Sequence, residues 1–389
     1  MVGPEGGAGS AAGDRPRRVV IAPDSFKGSA TATEVAAALG DGWRSRRPHD
    51  EIVALPIADG GEGTLDVFAA AVPDSVRHPL RVTGPDGRPQ DAEWLALPGG
   101  VAVVELARAS GLPLMLAPDP LRAQTIGLGE ALGAALTGGA RRILVALGGS
   151  ASTDGGTGAL AALGARFLDP RGAVLPPGGG ALARLARVEL SGLRPPPPGG
   201  VRCLVDVDAP LLGPAGAAAV FGPQKGAGPA DIDRLAAGLR RLAEVLGGEP
   251  AAAGAGAAGG TAYGLAAAWG ADLVPGIRTI TEAAGLPAAL TGAGWVVTGE
   301  GRFDRTSLAG KVVGGVLGLA RAAGVPVLVA AGQLDAPRPE GAIAEVALAR
   351  LAGGTEAALA EPLRWLRAAG AELARLATAA PAAGPAAAG

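Results

Sequence analysis

Between Arg142 and Gly158 the chain reads RILVALGGSASTDGGTG. The apolar run from Ile143 to Leu147 predicts a strand. It opens into the loop Gly148-Gly149-Ser150-Ala151-Ser152-Thr153-Asp154-Gly155-Gly156-Thr157-Gly158, and an alanine-rich helical pattern follows from Ala159 to Gly164. Strand, glycine-rich turn and helix in that order are the building unit of parallel α/β sheets. Glycine lets backbone N–H groups crowd toward one point, and a helix N-terminus adds partial positive charge, so such a turn can seat phosphate. A plain βα turn in a glycine-rich chain reads the same way. What separates the two readings is recurrence.

The pattern does recur. Arg18 to Ala22 and Ile52 to Pro56 read as strands, followed by helices over Thr33 to Arg44 and Thr64 to Ala71. Strands near Leu95 and over Val101 to Leu106 point to an antiparallel part. A helix over Thr125 to Leu136 leads into Ile143 to Leu147. After the break at Pro195 to Pro198 come a strand from Val201 to Asp206 and helices over Ala230 to Leu246 and Tyr263 to Trp269. A strand at Trp295 to Thr298 opens a loop, Gly299 to Asp304. Then come a helix from Val312 to Ala323, a strand from Val325 to Ala330, a short strand around Val346 and Leu348, and a helix from Pro362 to Ala377. This alternation predicts an α/β protein with largely parallel sheets, whose binding sites lie beyond the strands' carboxyl ends.

Composition removes several functions. Of 389 residues 48% are hydrophobic, so disorder throughout is excluded, and the length allows more than one domain. A net charge of −2 and 3% aromatics leave neither a basic surface for nucleic acid or membrane nor stacking platforms for single strands. The single cysteine, Cys203, rules out an internal disulfide and a cysteine-rich zinc site. The two histidines, His49 and His78, lie in polar, loop-like contexts and read as solvated surface groups, so any general base is a carboxylate or a lysine. The first residues carry no apolar core of a secretory signal, and the uncharged stretch from Pro250 to Ala271 is too rich in Gly and Ala to span a membrane. A cytoplasmic protein is the expectation.

Five glycine-bearing loops carry acids or lysines. They are Ala22 to Gly28 with Lys27, Asp59-Gly60-Gly61-Glu62-Gly63, the loop ending at Asp154, Phe221 to Gly226 with Lys225, and Gly299 to Asp304, closed by Lys311. Each is expected at or near the end of a strand. Acids for Mg²⁺, lysines for phosphate charge and glycines for close backbone approach are what phosphoryl transfer requires. No GxxxxGK[ST] loop and no protein-kinase motif set is present. Each acid has a plainer reading: Asp24 as a helix cap, Asp154 as the stabiliser of its own turn, and Arg302 as an internal ion pair with Glu300 or Asp304 rather than an anion clamp. Tyr263 and Trp269 read as packing. The string Gly254-Ala255-Gly256-Ala257-Ala258-Gly259 mimics a dinucleotide fingerprint but follows no strand, which argues against a dehydrogenase.

Taken in order, seven segments resemble the type I glycerate kinases, the bacterial glycerate 2-kinase family. They are IAPDSFKGS (Ile21 to Ser29), PIADGGEGT (Pro56 to Thr64), VELARASGL (Val104 to Leu112), LGGSASTDGGTGAL (Leu147 to Leu160), DVDAPLLGPAGAAAVFGPQKGA (Asp206 to Ala227), GAGAAGGTAYGL (Gly254 to Leu265) and VVTGEGRFDRTSLAGKV (Val296 to Val312). The resemblance implies two α/β domains with a cleft between them. One is Rossmann- or flavodoxin-like, with a parallel sheet, formed by residues 18–77 and 290–378. The other is an inserted domain at 78–289, with tails at 1–17 and 379–389. It also implies ATP, Mg²⁺ and D-glycerate, with 2-phosphoglycerate as product, in a monomer or homodimer. Phosphorylation of another small hydroxy acid, formation of 3-phosphoglycerate and a non-catalytic binding regulator are the alternatives. Residue chemistry then allots the roles. Asp59 orients or deprotonates the acceptor hydroxyl, and Asp206, Lys225 and Asp304 complete the catalytic set. Glu62 and Asp206 hold Mg²⁺. Lys27, Gly149, Ser150, Ser152, Thr153, Asp154, Glu300, Arg302 and Lys311 bind phosphate or carboxylate.

Overall fold

The computed structural model describes residues 16–308 and 311–379, so the expected tails fall, but for a few residues, outside the described residues. In chain order the described strands are β1 (Arg18–Ile21), β2 (Glu51–Ala54), β3 (Val76–Thr83), β4 (Pro89–Leu97), β5 (Val101–Glu105), β6 (Arg142–Ala146), β7 (Arg166–Leu168), β8 (Arg187–Glu189), β9 (Val201–Val205), β10 (Asp272–Pro275), β11 (Trp295–Phe303), β12 (Val327–Leu334) and β13 (Ala342–Ala347). The described residues divide into two compact units, one formed by those up to Ile57 and from Gly285 onward, the other by Ala58–Ala284.

The discontinuous unit holds one sheet in the order β13-β12-β11-β1-β2, parallel throughout. Renumbered within the unit this is 5-4-3-1-2, the flavodoxin-like order, whose switch point lies between β1 and β11. β-Branched side chains of β1 and β11, buried among them Val19, Ile21 and Val297, form the core with Trp43, Leu39, Leu366 and Leu373. The helix Ala32–Arg46 starts from a reciprocal cap: Thr31 accepts from the Glu34 N–H while the Glu34 carboxylate accepts from the Thr31 N–H. Against it lies the helix Pro362–Ala379. A Cβ on Gly42 would stand 1.9 Å from the Arg367 carbonyl oxygen, and one on Gly370 2.2 Å from that of Leu39, so glycines set this crossing distance.

The second unit is built on the sheet β10-β9-β6-β5-β4-β3. β3, β4 and β5 form an antiparallel meander, as the run near Leu95 predicts, and β5, β6, β9 and β10 are parallel. β7 and β8 make a separate antiparallel pair. Its core runs through Leu128, Leu132, Val145, Leu160, Leu239 and Tyr263. Amphipathic helices cover the sheet, the longest being Pro229–Leu246 with Pro at its first turn and Asp231 capping Gly228.

Three expectations need correction. Gly299 to Phe303 is not a loop: β11 continues through it, paired with Ala330, Ala331, Gln333 and Leu334 of β12. Glycine disfavours strands locally, but here the neighbouring backbone comes too close for a side chain, and a Cβ on Gly299 would sit 1.9 Å from the Ala330 carbonyl oxygen. The Phe221 to Gly226 segment does not follow a strand; it leaves the helix Ala217–Phe221 and turns through Pro223–Lys225. His78 is not a loop residue but lies on β3, stacked on Trp94 with centroids 4.1 Å apart, whereas His49 is exposed.

Candidate functional site

In the second unit the glycine-bearing loops gather at the carboxyl ends of the parallel strands. Gly60 lies against Leu204 of β9, where a Cβ would be 3.3 Å from the Leu204 Cβ. The Gly148 N–H, just after β6, donates to the Gly60 carbonyl at 3.1 Å. A Cβ on Gly148 would come within 2.4 Å of the Gly61 Cα, so the two loops touch backbone to backbone. Gly276, at the end of β10, closes on the Asp59 carbonyl in the same manner, at 2.7 Å. Asp59 is buried; its Oδ1 accepts from the Gly61 N–H at 3.0 Å, and this is its one carboxylate hydrogen bond among the described residues. Asp206 follows β9 and is half-buried, and Glu62 is exposed.

The loop after β6 is pinned by its neighbours. The Leu112 N–H donates to the Gly149 carbonyl and the Ala151 N–H to that of Ser110. Lys225 is 2% exposed, and its Nζ donates to Ser150 Oγ at 2.8 Å and to the Ser152 carbonyl. Burial pulls its ammonium down to about 7, against the nearby Asp154 charge, which favours the protonated form. Ser152 Oγ and Thr153 Oγ1 are buried on the same loop without hydrogen-bond partners among the described residues. Asp154 is buried, which pushes its carboxyl up, but it accepts from the Thr125 N–H and Oγ1 and from the Gly156 and Gly158 N–H groups. Three of these bonds fall on Oδ2 and one on Oδ1, and they tie Asp154 into the loop that carries Ser152 and Thr153. Behind this loop Ala258, Gly259 and Gly260 all have positive φ; a Cβ on Gly259 would stand 2.1 Å from the Ser152 carbonyl oxygen. The string that mimics a dinucleotide fingerprint is thus a buttress for the serine loop. Tyr263 and Trp269 are buried and bond the Gly247 and Arg194 carbonyls, in keeping with a packing role.

In the discontinuous unit the polar residues lie beyond β1 and on the end of β11. The Asp24 N–H donates to the Gly299 carbonyl at 2.9 Å, and a Cβ on Gly301 would meet the Phe26 Cα at 3.4 Å. Asp24 and Glu300 are buried, and Lys27 is exposed. Arg302 pairs with Asp335 at 2.5 Å. Asp304 accepts from the Thr306 Oγ1 and N–H; these bonds, the hydroxyl first, hold its carboxyl below the usual range, with help from Lys311 and Arg302. Lys311 stands at the N-cap position of the helix Val312–Ala322, with no cap bond from its side chain.

One residue that sequence reasoning did not single out stands beside the Asp59 loop. Glu105, the last residue of β5, is 1% exposed and accepts from the Gly63 N–H at 3.1 Å and the Leu65 N–H at 2.9 Å. Burial raises its carboxyl to about 7, opposed by the Leu65 N–H, Arg108 and the Gly63 N–H. An acid closing an otherwise apolar strand, in Val101-Ala102-Val103-Val104-Glu105, was the available signal.

Among the described residues no group of three or more His, Cys, Asp or Glu is arranged for a metal ion, and no helix is long and apolar enough to cross a membrane. Mg²⁺ in nucleotide sites takes one or two carboxylates, with the remaining positions filled by water and phosphate; Asp206, half-buried after β9, is a donor of that kind.

Comparison with known proteins agrees over nearly the whole length. The sequence model of the glycerate kinase family matches residues 19–378. The glycerate 2-kinase of Escherichia coli K12 is 43% identical over 82% of this chain and 85% of its own. The glycerate kinase of Halalkalibacterium halodurans is 41% identical over 81% and 85%. A crystal structure from Salmonella typhimurium LT2, described as a candidate glycerate kinase 2, superposes with a TM-score of 0.77 at 37% identity, covering 94% of this chain and 99% of that one. The ordered glycine loops, the parallel sheets that present them and these similarities together establish that the chain belongs to the glycerate kinase family.

Proposed function

We propose that this protein transfers the γ-phosphoryl group of ATP to D-glycerate, giving 2-phosphoglycerate. The observation that carries the reading is the buried Lys225 ammonium, fixed by Ser150 and the Ser152 carbonyl next to two buried hydroxyls that have no partner among the described residues. A dry cation and spare donors on one glycine-rich loop form an anion seat, and both the acceptor and the donor of this reaction are anions.

Asp59 takes the acceptor proton: one carboxylate oxygen is held by the Gly61 N–H and the other is left to accept from a hydroxyl. Lys225, Ser152 and Thr153, with the Gly149 N–H, bind the carboxylate or the transferred phosphoryl. Asp206 and Glu62 would hold Mg²⁺, which when bound neutralises phosphate charge. Lys27, Arg302 and Lys311, with Asp304 and Glu300 beside them, serve the phosphates in the discontinuous unit. The test is a coupled ADP-release assay with D- and L-glycerate, followed by phosphorus NMR of the product. Turnover on D-glycerate with a 2-phosphate resonance is expected. No turnover on glycerate, or a 3-phosphate product, overturns the assignment.

A further inference from the structure

The helix Thr64–Ala71 begins at Gly63, a residue with φ of +87° and no side chain to cap the free N–H groups of its first turn. Glu105 supplies the cap from across the sheet. Its Oε1 accepts from the Gly63 N–H and its Oε2 from the Leu65 N–H, so both oxygens are used and a carboxylate sits at the helix start. These two amides lie directly after Asp59-Gly60-Gly61-Glu62. The other end of that loop is tied to Gly148 and packed on Leu204. We propose that Glu105 is a positioning residue: its carboxylate anchors the trailing end of the Asp59–Gly63 loop and so holds the loop's reactive groups in place for catalysis. The proposal rests on the assignment of this loop to the active site.

The charged groups around Glu105 come from four elements. Arg108, in the same segment, approaches Oε1 at 3.8 Å, and it also pairs with Asp66 of the capped helix and Glu93 of β4. Arg77 of β3 shares Asp66 and Glu93. Both arginines are thus engaged with other acids, and Arg108 stays beyond hydrogen-bond reach of Glu105. When Glu105 gains a proton, one oxygen becomes a donor facing an N–H group, and one anchor is lost.

Glu105→Gln removes one acceptor and keeps the shape. The expected result is a fall in kcat on the order of 100-fold, the scale of an ångström of misplacement. KM for both substrates stays within about threefold, and the limb of the kcat profile near pH 7 that Glu105 imposes disappears. A kcat within about twofold of wild type with that limb unchanged overturns the proposal. If the variant does not fold, the unaltered protein still decides: the Gly63 and Leu65 amide resonances titrate together with kcat, and pH-invariant resonances overturn the proposal. Asp59→Asn is read separately. Wild-type turnover there, with Glu105→Gln slow, removes Asp59 as the base and leaves Glu105 anchoring the loop for its other groups.

Discussion

An ammonium in a dry site gives up its proton more readily, and Lys225 is brought to about 7 by this effect, from an ordinary value of 10.5. Between those values the unfolded chain binds a proton that the folded chain does not. Unfolding free energy therefore rises with pH across this window, and below about 7 the contribution is flat. Urea denaturation at pH 7, 8.5 and 10 is expected to show this rise in the unliganded protein and a flatter course in Lys225→Met; identical slopes would remove Lys225 as the source. An anion bound at Lys225 restores the proton, so binding at pH 8.5 takes up protons, measurable by calorimetry in buffers of different ionisation enthalpy. Glu105 has the opposite sign. Its carboxyl is raised to about 7 from 4.5, so the folded chain holds the extra proton and this contribution to stability falls as pH rises through that interval. Asp59→Asn keeps the Gly61 hydrogen bond but cannot take a proton; turnover is expected to drop ~10²–10⁴-fold with ATP still bound. Asp59 and Lys225 were legible in the sequence as candidates, since both lie among glycines. Glu105 was less so, because its two partners are 42 and 40 residues away in sequence.

Loops and their glycines decide the next scale. Gly148→Ala would drive a methyl to 2.4 Å from the Gly61 Cα, a backbone atom that cannot swing aside. A stability loss of about 1–3 kcal/mol is expected, as for other overpacked sites, together with a lower kcat because the Asp59 loop is displaced. Thermal melting and turnover on one sample check both; an unchanged melt with full activity would mean that the loops do not touch in solution. Ala258 is the one non-glycine with positive φ among the described residues, at +53°. Ala258→Gly relieves that strain and is expected to stabilise by up to ~1 kcal/mol, less the added freedom of the unfolded chain. At this scale strand-loop-helix units could be read from apolar periodicity, and helix boundaries came within about two residues, except where Ala257–Trp269 kinks at its start. The extension of β11 through Gly299–Phe303 could not be, because glycine carries no strand signal and only the β12 backbone alongside makes it one.

At the scale of the whole molecule, two large apolar clusters each belong to one unit. The cluster around Leu132, Val145 and Leu239 lies wholly within Ala58–Ala284, and that around Trp43, Leu39 and Leu373 wholly within the discontinuous unit. A fragment of residues 58–284 is therefore expected to unfold cooperatively by itself in urea, whereas a gradual, non-cooperative loss of circular dichroism would show that its core depends on the remainder. The alternation of apolar runs with glycine loops was enough, by itself, to determine an α/β protein, because side-chain periodicity and glycine freedom act over a few residues. The order of the motifs was enough to place the chain in its family. The strand orders, the cap that Glu105 lends to a glycine-started helix, the contact of Gly148 with Gly61 and the bonds of Asp154 to Thr125 were decided only on folding. Each of these joins groups tens of residues apart, and hydrogen bonds and steric contacts at that separation depend on where the sheet carries the chain, which no local pattern records.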